Sequence, residues 1–155
     1  MKIYVTSLQQ STLDLWSRLL PESTAIELVN QNSRSVRADV LVMSGVWAFD
    51  RYGGRPNRET AQILSNSNGD GLPDWIAVPP FRPIVEQDGG FSVREDFRQV
   101  SPAYYAVLQS LRAVRNEFGD SVSVILDLTM LGMDDPRDES TPASVARAVE
   151  VFLNQ

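Results

Sequence analysis

The sequence predicts an α/β protein, a three-layer α/β/α sandwich around a mixed, largely parallel sheet. Three observations carry that prediction. Short apolar runs alternate with amphipathic stretches along the chain. The runs ADVLVM (38–43) and SVSVILDL (121–128) are apolar almost throughout, as in strands covered on both faces. No repeat, low-complexity tract or long linker divides the 155 residues, a length typical of one domain. Strands separated by helices favour parallel crossovers, and a sheet covered on both faces needs a helical layer on each.

The elements follow in order. Ile3, Tyr4 and Val5 form a β-branched and aromatic run, and Ser11 or Thr12 then caps a helix over 12–20 that Pro21 stops. Residues 25–29 make a second short strand, NQNSRS a turn, and 39–43 the strand expected at the sheet centre. The segment SGVWAFDRYGGRP (44–56) reads as a loop and 57–65 as a helix. The turn-rich NSNGDGLPD leads into an interior strand at 75–78. Across 80–100, two short alternating runs flank Asp88, Gly89 and Gly90, a hairpin signal, in a polar segment expected to be dispensable for the core. Ser101 and Pro102 open a helix over 102–117 ended by Gly119, residues 122–127 form an interior strand, and Thr141 with Pro142 opens a helix over 142–153.

Composition narrows the chemistry. The chain has neither cysteine nor histidine, so thiol nucleophiles, thiolate metal sites and the usual general base are absent. Its 14 basic and 20 acidic residues leave a net charge of −6, the opposite of what a nucleic-acid binder carries. With no apolar stretch of membrane-spanning length and no signal-like leader, an acidic cytoplasmic protein without membrane or nucleic-acid partners is expected. All basic residues except Lys2 are arginine, which favours bidentate contact with phosphate or carboxylate.

In open α/β sheets ligands collect at the carboxyl ends of the strands, which singles out the segments 44–56 and 128–141. The first offers Gly45, Gly53 and Gly54 for close backbone approach, Phe49 and Tyr52 for stacking, and Arg51 and Arg55 for charge. The second offers Gly132 and Met133, followed by Asp134, Asp135, Asp138 and Glu139. These carboxylates open two further readings: water activation, directly or through a divalent ion, and ion pairs with Arg51 or Arg55 that tie the segments together. Residues 66–74 resemble a short calcium loop, but asparagines replace its first acidic ligands and Ala77 stands where a bidentate glutamate belongs, so no metal site is assigned.

The order of elements and three stretches, ADVLVMSGVWAFDRYGG, GLPDWIAVPP and SVSVILDLTMLGMDD, together resemble a divergent macro domain, the ADP-ribose-binding α/β/α fold. The resemblance implies a macro-domain-like sandwich whose cleft takes an ADP-ribose-related or other nucleotide-like metabolite, with no resident cofactor. It places Thr6, Ser7 and Leu8 where the family reads adenine with an aspartate, and Ser44, Gly45, Val46 and Trp47 where its hydrolases carry asparagines for the distal ribose and catalysis. Those departures leave turnover open. Two alternatives stand beside ligand binding: a protein-interaction module with a vestigial cleft, its aromatics and arginines meeting a protein partner, and a carboxylate-dependent hydrolase.

Overall fold

The computed structural model describes residues 1–80 and 102–155, together with the backbone of residues 84–87 and 90–93. In chain order the elements are β1 (Lys2–Thr6), α1 (Gln10–Leu19), β2 (Ile26–Val29), a 3-10 turn (Ser33–Ser35), β3 (Val40–Val42), α2 (Gly45–Tyr52), β4 (Gln62–Ser65), β5 (Trp75–Val78), β6 (Ile84–Gln87), β7 (Gly90–Val93), α3 (Pro102–Phe118), β8 (Ser123–Asp127) and α4 (Ser140–Leu153). The main sheet has six strands in the order β2-β1-β8-β3-β5-β4. All neighbours pair in parallel except β4 and β5, which are antiparallel. The expected α/β sandwich with a mixed, largely parallel sheet is thus present, and 39–43, 75–78 and 122–127 coincide with interior strands β3, β5 and β8.

Period-two geometry explains why the central runs are continuously apolar. Val40, Val42, Val124, Leu126 and Ala77 face one layer, in which Trp16 of α1, Leu111 of α3 and Phe152 of α4 are buried. Their in-between neighbours Leu41, Ile125 and Ile76 face the other layer, where Ala48 of α2 and Leu72 fill the space. Three helices therefore cover one face, and α2 with the 66–74 turn covers the other.

Two expectations are corrected. Residues 57–65 are not a helix: the Asn57 carboxamide accepts from the Glu59 and Thr60 amides, which makes a turn. Beyond it Ile63 and Leu64 pair with Ala77 and Ile76, so the sheet claims the residues that a helix would have used. Conversely, the expected loop at 44–56 contains α2, with Ser44 at its N-cap and Gly53, at φ 82°, closing its carboxyl end. The hairpin expected within 80–100 exists as a separate two-stranded sheet in which Gln87 pairs with Gly90. Asp88, Gly89 and the segments 81–83 and 94–101 lie outside the described residues.

Candidate functional site

Because β2, β1, β8, β3 and β5 are parallel, their carboxyl ends share one edge. Three cavities lie along it among the described residues. The first, about 110 Å³, lies beyond β2, β1 and β8, where Thr6, Ser7, Gln31, Asn32, Asp127 and Thr129 make it polar and Leu8 and Met130 complete it. The second, about 390 Å³, follows β3 and β5 and is bounded by Ser44, Gly45, Val46 and Phe49 of the α2 start and by Pro56, Pro79 and Pro80. The third, about 330 Å³, lies between Leu131, Gly132 and Met133 on one side and Pro102, Ala103 and Ala106 of α3 on the other, with Thr141 of α4 and Pro80. Pro80 borders the second and third cavities, and the Ser44 amide donates to the Met130 carbonyl at 3.3 Å, which joins the second to the first. The two segments singled out from the sequence therefore lie side by side.

The electrostatics of this edge come from backbone more than from side chains. Residues of the first turns of α2, α3 and α4 all border the two larger cavities. At α2 the Gly45 and Val46 amides have no intrahelical acceptor and carry the helix's partial positive charge, whereas at α4 the Asp138 carboxylate accepts from the Ser140 and Thr141 amides and Pro142 has no N–H. No charged side chain lines either cavity among the described residues. In the polar cavity the one charged lining group among the described residues is Asp127, whose carboxylate accepts from the Ser33 hydroxyl at 2.5 Å and the Met130 amide at 3.0 Å.

The predicted site residues divide into two groups. Gly45, Phe49, Gly132 and Met133 line the two larger cavities. Gly45 has a local reason to be glycine: the Phe49 ring folds back one turn against it, and any Cβ would collide with that ring. The other five lie off the cavities. Tyr52 donates its hydroxyl to Asp70 at 2.5 Å, and burial followed by that bond pushes its pKa up to about 12. Arg51 lies over the Trp47 ring at 5.4 Å. Gly53 ends α2, Gly54 turns at φ 89° against Leu64, and the Arg55 backbone exchanges hydrogen bonds with the Gln62 side chain.

The acidic residues of 134–138 hold structure. Burial pushes the Asp134 carboxyl up, but hydrogen bonds outweigh it and hold the group below its ordinary value, with Ser7 donating at 2.7 Å and Thr129 at 2.9 Å. Asp135 is lowered by the Arg137 amide and guanidinium, and Asp138 by the Thr141 and Ser140 donors at the start of α4. A general base working near neutrality needs the opposite shift. Among the described residues these carboxylates do not pair with Arg51 or Arg55; Asp135 pairs with Arg137 at 3.3 Å. The 66–74 turn spends its side-chain oxygens internally, Asp70 accepting from Asn66, Tyr52 and the Leu72 amide and Asn66 from the Asn68 amide.

Sequence reasoning did not pick out Gln31, Asn32, Asp127, Thr129, Pro79, Pro80 or Ala106. Their common signal is position, at the last residue of a parallel strand, one to three residues beyond it, or at the start of the next helix. Comparison with protein-family models, curated proteins and solved structures returned no match.

Proposed function

We propose that the carboxyl edge of the sheet binds an ADP-ribose-related or other nucleotide-like metabolite, with a base or ribose in the smallest cavity and the rest of the ligand along the two larger ones. The observation that carries this reading is the α2 amino end, with its Gly45 and Val46 amides, at a cavity that no charged side chain lines among the described residues. Such ends attract anions, and the apparent conflict between a phosphate and the acidic 134–138 segment disappears once those carboxylates are turned to Ser7, Thr129, Arg137 and α4. The two larger cavities fall at the lower end of the range for small-molecule pockets. At the smallest cavity Gln31 and Asn32 bring carboxamides, while the Thr6 and Asp127 side chains are bonded to Ser33 and that of Ser7 to Asp134.

Thermal shift with ADP-ribose, NAD and AMP tests the reading, since a ligand selective for the native state raises the melting temperature. ADP-ribose raises it in the natural chain, and Ala106→Trp, which fills the third cavity from α3, removes the shift while the variant stays folded. An unchanged melting temperature with every nucleotide refutes the reading. A second reading, protein binding, rests on Val46, Leu8 and Trp47, which are 87%, 67% and 44% exposed and all follow strand ends on this edge. Under that reading Val46→Asp abolishes partner capture and nucleotides have no effect.

A further inference from the structure

We infer that the cavity at the start of α2 selects the terminal group of the ligand, and that the preferred metabolite is a dinucleotide capped by an uncharged heterocyclic ring rather than by a bare ribose. The inference rests on the nucleotide reading above and adds a specificity to it. It starts from the make-up of the α2 cavity. Its walls are Phe49, Val46, Pro56, Pro79 and Pro80, and Ser44 supplies the one polar side chain among the described lining residues.

A bare ribose presents several hydroxyls, and each one taken from water without a partner costs free energy. The α2 cavity has too few side-chain partners for such a group. An uncharged ring, by contrast, finds the Phe49 side chain and proline rings, against which its apolar area is buried favourably. The absence of a side chain at Gly45 leaves room for the Phe49 ring in this position. Charge points the same way. The cation on this helix, Arg51, lies over Trp47, and no carboxylate lines the cavity among the described residues to compensate a cationic terminal group. The first-turn amides of α2, Gly45 and Val46, remain to meet a carboxamide or phosphate oxygen.

Calorimetry of the full chain with NADH, ADP-ribose and AMP tests this, because NADH carries an uncharged ring where ADP-ribose ends in a sugar. The natural chain binds NADH roughly tenfold more tightly than ADP-ribose, a difference that burying part of one ring supplies. Phe49→Ala brings the two within about twofold and leaves AMP unchanged. Val46→Asp, at a position 87% exposed and therefore harmless to folding, has the same consequence by placing a carboxylate at the cavity rim. ADP-ribose binding as tightly as NADH, or either variant weakening all three ligands alike, overturns the ring specificity while leaving the nucleotide reading intact. Failure of all three to bind overturns both.

Discussion

Residues 44–56 and 128–141 leave neighbouring strands at the same edge of the sheet, yet the first coils at once into α2 whereas the second turns back on itself before α4 begins. Their division of labour is nonetheless the same. In each, the residues nearest the strand, Gly45 and Phe49 or Gly132 and Met133, border a cavity. Farther residues brace the segment: Tyr52 holds Asp70, Gly54 packs against Leu64, and Asp134 ties its loop to Ser7. Pro56 and Thr141, at the far ends of the two segments, border the cavities again, so each segment touches them at both ends and braces itself in between. The two frames differ in where their acceptors come from. The first leans on Asp70 and Gln62 from outside it, the second on its own carboxylates.

That contrast can be broken by substitutions in the bracing stretches. Asp134→Ala removes the acceptor for the Ser7 and Thr129 hydroxyls and lowers stability by about 1–3 kcal/mol. Urea unfolding measures it, and a loss below ~0.5 kcal/mol means that the second segment does not depend on its carboxylate. Gly54→Ala acts on the first segment. At φ 89°, and with Leu64 only 3.1 Å from the place an alanine Cβ would take, the substitution is strained, at about 1–2 kcal/mol. An unchanged unfolding midpoint would show that the turn can relax.

Acid sharpens the comparison. Asp134, Asp135 and Asp138 are held below their ordinary pKa in the fold, so their contribution to stability is present above about pH 4 and is lost as the pH falls through the lowered values. Asp134→Asn is less stable near neutrality but loses less on acidification, which urea midpoints at pH 3 and pH 6 compare. Equal acid sensitivity in variant and natural chain refutes this role. Tyr52 carries the opposite sign: with its pKa raised to about 12, its contribution is intact below pH 10 and lost as the pH climbs toward 12. The smallest effect belongs to Val46→Asp. It shifts stability by no more than ~0.5 kcal/mol, because the residue is 87% exposed, and a larger loss would mean that the cavity rim supports the fold.

Much of the architecture was legible because burial on both faces leaves a plain mark: VLV of β3 and SVILD of β8 lie where apolar runs said interior strands would be. The segment between β3 and β5 was misread because its local signals mislead. GVWAFDRY is rich in glycine-flanked aromatics and reads as a loop, although Ser44 and Gly53 bracket it as helix caps. Asn57 looks like the start of a helix and makes the corresponding amide contacts, but the antiparallel bond to β5 is a long-range choice that outweighs local propensity. Of the candidate site residues, Gly45, Phe49, Gly132 and Met133 were readable from their place after the strands. The roles of Arg51, Tyr52, Gly53, Gly54 and Arg55 depend on where α2 ends and what Asp70 and Gln62 reach, which sequence spacing does not encode.

The placement of β8 carries a consequence for how the chain matures during synthesis. This strand comes last among the six of the main sheet, yet it lies between β1 and β3 and is the bridge between the β2-β1 pair and the β3-β5-β4 set. Until residue 127 emerges, a nascent chain holds two partial sheets, each with a bare hydrogen-bonding edge meant for the same missing partner. Such edges recruit other chains, so a stalled or proteolysed product ending before β8 is expected to aggregate. The late, long-range insertion of β8 also marks it as the step that sets the folding rate.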